Sequence, residues 1–194
     1  MAAFVLGNGI SRRPIDIDLL KTRGAVYACN AVYRTHAVTA LVATDRGIAN
    51  EIQASGYPAN NRFYTRRPDP ATGALRVPQA YFGFSSGPIA LAIACADQHD
   101  RIYLLGFDLG PDEQGRFNNV FAGSEHYKAQ GSGPTYTGNW IKQIAKIAAD
   151  YPGAEIIRVH GSTTAAVAEF DRVPNLAKLD FADFVARINS QKDL

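Results

Sequence analysis

Hydrophobic and polar positions follow two rhythms along the chain. Short apolar runs bounded by Gly, Asn, Asp or Ser read as buried strands, and longer stretches with apolar residues three and four apart read as helices. Ala3 to Leu6 predicts a first strand ending at Gly7-Asn8-Gly9, and Ile15 to Lys21 a short helix. Ala25 to Cys29 predicts a second strand, ending at Asn30, and Val38 to Ala43 a third, ending at Thr44-Asp45. Asp45 is placed to cap a helix through about Ser55, closed by Gly56. Arg62 to Thr65 reads as a fourth short strand. Arg66 to Pro78, rich in Pro, Asp and Gly, predicts a loop with a hairpin around Asp69 to Gly73.

Further on, Ser85-Ser86-Gly87-Pro88 heads the apolar run Ile89 to Ala96, with a capping serine and an early proline as start signals. Arg101 to Leu105 predicts a strand ending at Gly106-Phe107-Asp108. Leu109 to Pro134 is a polar segment of 26 residues, longer than ordinary connections and a candidate lid. Ile141, Ile144, Ala145 and Ala148 mark a helix over Asn139 to Tyr151. Glu155 to Val159 predicts the last strand, followed by His160-Gly161-Ser162, and a helix runs from about Asp180 to Ile188.

Strands that alternate with helices predict an α/β fold, a mostly parallel central sheet covered on both faces. The 194 residues fit a single domain, 1–194, with the lid-like loop at 109–134. Twenty Lys and Arg against 18 Asp and Glu leave a net charge of +2, too even for a partner of duplex nucleic acid. The pairs Arg12-Arg13 and Arg66-Arg67 remain candidates for gripping one phosphate group. No apolar h-region follows Arg12-Arg13, so the pair is not read as an export signal. No apolar run reaches the ~20 residues of a membrane span. Cys29 and Cys95 lie in apolar surroundings without metal-type spacing, which predicts two buried free thiols and a cytoplasmic location. The composition leaves room for a homo-oligomer.

Ligands of an open parallel sheet bind beyond the carboxyl ends of its strands, and here those ends carry a consistent polar set. Gly7-Asn8-Gly9-Ile10-Ser11-Arg12 is the sharpest motif. Its glycines allow close backbone approach, its N–H groups suit an anion, and Ser11 and Arg12 add a hydroxyl and a fork of donors. It lacks the third glycine of a dinucleotide fingerprint and the Lys of a P-loop. Ser85, Ser86 and Gly87 open a helix whose N-terminus attracts phosphate or carboxylate. Asn30, Asp45 and Asp108 complete the set. Among the four histidines, His126 is the candidate acid or base, because an imidazole titrates near neutrality.

Phe4 to Arg12, Tyr27-Ala28-Cys29-Asn30, Ser85-Ser86-Gly87 and Ile102 to Asp108 come in an order that resembles the bacterial CMP-sialic acid-dependent sialyltransferases. It also resembles the related group containing archaeal 6-hydroxymethylpterin diphosphokinases. The resemblance covers roughly residues 3–160 and implies a Rossmann-like three-layer sandwich opening with a Gly-Asn-Gly turn. It also implies that Asn8, Asn30 and Ser86, with Ser85 adjacent, contact the CMP moiety. Lid tyrosines would hold the leaving phosphate, a role matched by Tyr127 and Tyr136, and the base would be His126, or Tyr136 nearer the helix.

Three functions follow as expectations. The first is a glycosyltransferase-like transferase that moves a group from a nucleotide-activated donor, a CMP-sugar, to a small-molecule or glycan acceptor. The second is a diphosphokinase-like transfer from ATP to a small alcohol, with Mg²⁺ held by Asp45 and Asp108. The third is a nucleotide-binding protein without turnover.

Overall fold

The computed structural model describes residues 2–190. Eight strands form one sheet: β1 (Ala2–Leu6), β2 (Ala25–Cys29), β3 (Ala40–Val42), β4 (Phe63–Thr65), β5 (Leu75–Arg76), β6 (Arg101–Leu105), β7 (Glu155–His160) and β8 (Leu176–Asp180). Their order is β5-β4-β3-β2-β1-β6-β7-β8, and every neighbouring pair is parallel. Five α-helices accompany them: α1 (Ile17–Arg23), α2 (Arg46–Ala54), α3 (Ser86–Ala96), α4 (Gly138–Asp150) and α5 (Phe181–Ser190).

Side-chain alternation along the strands divides the core into two halves. Ala3 and Val5 of β1, with Tyr27 and Val42, face α3 and α4. Phe4 and Leu6, with Val26, Leu41 and Phe63, face the opposite layer, into which α1, α2 and α5 send Leu20, Ile52 and Phe184. The result is a Rossmann-like three-layer α/β sandwich. β1 sits at its centre with every residue buried, which is why its sequence is apolar without interruption. α3 is buried almost all round, so its run Ile89 to Cys95 carries no polar stripe.

Two strands lie where the sequence predicts none. β5 replaces the hairpin expected at Asp69 to Gly73: a 3-10 turn at Pro70–Thr72 swings the chain round, and Leu75 and Arg76 pair parallel to Tyr64 and Thr65. β8 lies on the opposite edge of the sheet with exposed polar positions, which hide its apolar signature. Both edge strands bury little, so neither shows the apolar run that marks a central strand.

After β1 the chain builds outward through β2, β3, β4 and β5. α3 then carries it back to β6 on the other side of β1, and it continues to β7 and β8. The topological switch falls between β1 and β6, and a crevice is expected outside their carboxyl ends. Among the described residues no helix is long and apolar enough to cross a membrane.

Candidate functional site

The turns after β1 and β6 are locked together by backbone. Gly7 N–H donates to Leu105 O and Gly9 N–H to Gly106 O, each at 2.8 Å. A Cβ on Gly7 would stand 2.5 Å from Gly106 O, and one on Gly9 would strike the Asp108 carboxylate. Gly106 itself has a φ of 69°, open to glycine at little cost. The Gly-Asn-Gly spacing is therefore what lets two strand tips approach at the switch point.

Asp108 is buried beneath this junction. One carboxylate oxygen accepts from Ser11 N–H (3.1 Å) and the Thr163 hydroxyl (2.6 Å); the other accepts from the Ser11 hydroxyl and, at 3.4 Å, the Thr164 hydroxyl. Each oxygen thus receives two donors, which fills the accepting capacity of a carboxylate. Arg158 on β7, 1% exposed, donates to Phe107 O at 2.9 Å and to Asp108 O at 3.0 Å. Burial pulls the Arg158 guanidinium down to about 10, against the opposing pull of Asp108.

Above the junction lies a cavity of about 340 Å³. Gly7, Asn8 and Gly9 line it from β1, Asn30 from β2, Asp45 from β3, Ser85, Ser86 and Gly87 from the start of α3, and Asp108 from β6. Ser11 and Arg12 do not line it. Ser11 is spent on Asp108, while buried Arg12 donates to Gly7 O at 2.6 Å and lies 5.6 Å from the Phe121 ring centroid. Burial lowers the proton affinity of Arg12, partly offset by Cys29, Tyr127 and Asp108. His160 and Gly161 also lie outside: a Cβ on Gly161 would stand 2.7 Å from Ser11 Cβ, so this strand tip buttresses the turn.

The opposite wall has unspent capacity. Asn30 follows β2 with a φ of 55°, a left-handed conformation that asparagine tolerates better than most residues, and its Oδ1 is buried without a hydrogen-bond partner. A positive φ and an unsatisfied buried acceptor at one residue make Asn30 a candidate binding residue. Asp45 occupies the N-cap position of α2, but its carboxylate makes no cap hydrogen bond and is exposed. Ser85, not Ser86, is the N-cap residue of α3. Its Oγ accepts from Trp140 Nε1 at 2.9 Å, while Ser86 Oγ accepts from Thr44 N–H at 3.0 Å. Arg66, just past β4, also lines the cavity, oriented by bonds of 2.8 Å from Nε to Phe82 O and from Nη2 to Phe84 O. The Cys29 thiol lines the cavity too, but burial pushes it up to about 12, so it stays protonated at neutral pH.

No helix or strand interrupts the chain between β6 and α4, as expected of the long loop. The loop lies down on the β1 turn: Ile10 N–H donates to Asn118 Oδ1 and Val120 N–H to Asn8 O, both at 2.8 Å. It supplies Phe117, Asn118 and Asn119 to the cavity. The candidate catalytic residues are elsewhere. His126, at a φ of 68°, places Nε2 3.1 Å from Glu51 on α2. The Tyr127 hydroxyl accepts from Ala31 N–H at 3.2 Å, and burial raises its pKa. Tyr136 is 73% exposed. None of the three lines the cavity.

The residue pattern gave no notice of several cavity residues. Trp140, Thr135 and Thr137 come from the approach and first turn of α4, and Phe117, Asn118 and Asn119 from the loop. Trp140, the single tryptophan of the chain, sits where an indole N–H finds a polar partner, and that was the available signal.

The Asp45–Asp108 pair does not fit a Mg²⁺ site. Both oxygens of Asp108 are filled from within, and among the described residues no three His, Cys, Asp or Glu side chains lie together as a metal-holding group. Fold and cavity together define an α/β protein of Rossmann-like architecture with a crevice at its topological switch point. Comparison with protein-family models, with curated proteins and with solved structures returns no match.

Proposed function

We propose that the cavity binds a nucleotide-activated donor, a CMP-sugar being the form that the sequence resemblance implies, and that the protein transfers its activated group to an acceptor hydroxyl. The observation that carries this reading is the meeting of Asn8 and Asn30, from two strand ends, with Ser85 and Ser86, from the start of α3, around one cavity. The unpartnered Asn30 Oδ1 accepts a hydrogen from the base or the sugar. The first-turn N–H groups of α3 and the Arg66 guanidinium provide positive potential for the phosphate.

The proton of the acceptor goes to Asp45. Among the ionisable groups of the cavity, Asp108 is filled by internal donors, Cys29 holds its proton, and Arg66 is a cation; Asp45 is the free carboxylate. The acceptor oxygen forms a bond to the anomeric carbon, the bond from that carbon to the phosphate oxygen breaks, and its electron pair leaves with CMP.

One observation favours a second reading, binding without turnover: neither His126 nor Tyr136 lines the cavity. A thermal-shift screen of nucleotides and nucleotide sugars, followed by an assay of CMP release from CMP-sialic acid, separates the two. A ligand at about 100 times its dissociation constant adds ~2.7 kcal/mol of stability. Release that falls at least about tenfold in Asp45→Asn supports transfer, since a positioned base contributes ~10²–10⁴-fold. Stabilisation by CMP without release supports the second reading. Neither stabilisation nor release overturns both.

A further inference from the structure

A second concavity, of about 580 Å³, opens beside the first and shares Thr44, Asp45 and Arg66 with it. The start of α2 and the end of β4 form its remaining walls, including Arg46, Asn50, Thr65 and Arg67. Its charge is lopsided: three arginines, Arg46, Arg66 and Arg67, line it together with a single acid, Asp45. Four other arginines meet carboxylates, in Arg34–Glu51, Arg62–Asp97, Arg101–Glu155 and Arg116–Asp112, while buried Arg12 and Arg158 are held by backbone carbonyls. Arg66 is oriented by two neutral carbonyls, and no ion pair or side-chain hydrogen bond engages Arg46 or Arg67 among the described residues.

Three arginines against one carboxylate leave an excess of positive charge along this concavity, which suits an oxyanion, because guanidinium forks match the geometry of phosphate oxygens. We propose that the second chamber binds the phosphate group of the acceptor, a phosphate monoester, with the acceptor hydroxyl directed across the shared wall toward Asp45. The assignment of this anion to an acceptor rests on the donor-binding reading of the first cavity; the anion site itself does not. The shared wall accounts for the choice of acceptor over donor. A ligand seated on Arg46 and Arg67 reaches the first cavity past Asp45, the residue that receives the acceptor proton.

The test uses inorganic pyrophosphate as the probe, titrated calorimetrically at low ionic strength into the full chain. Arg46→Gln combined with Arg67→Gln is compared with a control of equal charge loss, Arg13→Gln combined with Arg172→Gln, whose residues lie outside the chamber. Arg46 and Arg67 are exposed, so the melting temperature of the first pair should match that of the wild type. Pyrophosphate should bind the wild type, bind the chamber variant at least about tenfold more weakly, and bind the control within about twofold of wild type. Pyrophosphate should still bind at saturating CMP. Absence of wild-type binding, or an equal loss in the control, overturns the site. Displacement of pyrophosphate by CMP overturns its assignment to a separate acceptor, the anion then belonging to the donor. Pyrophosphate binding in a protein that ignores CMP upholds the anion site and removes the nucleotide reading instead.

Discussion

The two walls of the cavity are built from the same kinds of residue and do opposite things. On the β6 side, Asp108 accepts four hydrogen bonds from Ser11, Thr163 and Thr164, and Arg158 ties down the backbone of the same turn. On the side of β2, β3 and β4, Asn30 keeps a buried oxygen without a partner, Asp45 leaves its helix uncapped, and Arg66 holds no carboxylate. Both walls are polar strand tips in one crevice. Hydrogen-bond satisfaction, not polarity or position, separates the wall whose polar groups are spent within the fold from the wall whose groups are left open. A saturated carboxylate is scaffold; an unsatisfied amide in a strained conformation is held ready.

Breaking the saturated wall should produce the largest effect. Asp108→Ala strands buried donors on Ser11 and Thr163, and a loss of about 3–5 kcal/mol is expected, lowering the melting temperature by about 10 °C or more. Calorimetric unfolding measures it, and a loss below about 1 kcal/mol would contradict the scaffold role. The unsatisfied wall should respond in the opposite sense. Asn30→Gly accepts the positive φ without strain and removes the unpaired oxygen, so stability should hold within about 0.5 kcal/mol or rise. Nucleotide affinity should nevertheless fall about tenfold, read by calorimetry with CMP. Destabilisation of Asn30→Gly by more than about 1 kcal/mol would make Asn30 a structural residue like Asp108.

A third substitution concerns the tie between loop and helix. Arg34, Tyr33 and His126 gather on Glu51, and hydrogen bonding from Arg34, above all, pulls its carboxyl from 4.5 down to about 2. A carboxyl with a depressed folded-state value contributes stability that is complete above pH 4.5 and is lost as the pH falls toward 2. Glu51→Gln should therefore cost about 1 kcal/mol at neutral pH, and the difference from wild type should close across that acidic window. A difference that does not change with pH would contradict the charge-based tie. The smallest effect is expected at Tyr136→Phe: a ring in solvent and outside the cavity should change stability by less than about 0.5 kcal/mol and CMP release by less than twofold.

Much of the molecule was legible in the sequence because buried parallel strands write themselves as apolar runs. β1, β2, β6 and β7 fall where their runs predict, and the helix starts at Asp45 and Ser85 are close to their expected places. β5 and β8 escaped because edge strands bury too little to need an apolar run. The candidate site divides along the same physical line. Residues that a strand end delivers, such as Asn8, Asn30 and Asp45, reach the cavity, since the parallel sheet brings all its carboxyl ends to one side. Residues delivered by the loop did not follow from sequence. His126, Tyr127, Asn118 and Asn119 lie within a short stretch, yet only the asparagines face the cavity, because turns and not a regular period decide where each side chain goes. Nor does the sequence distinguish Asp108 from Asp45. That distinction depends on Ser11, Thr163 and Thr164, brought together only by the fold.

The central claim, that the crevice at the β1–β6 switch receives a nucleotide, meets its most direct test in a two-dimensional amide NMR titration of the protein with CMP. Saturable shifts at Asn8, Gly9, Asn30, Ser86 and Gly87, with Thr163 and Thr164 unmoved, are the predicted result. An unchanged spectrum at millimolar CMP, or shifts confined to residues outside the cavity, would contradict it.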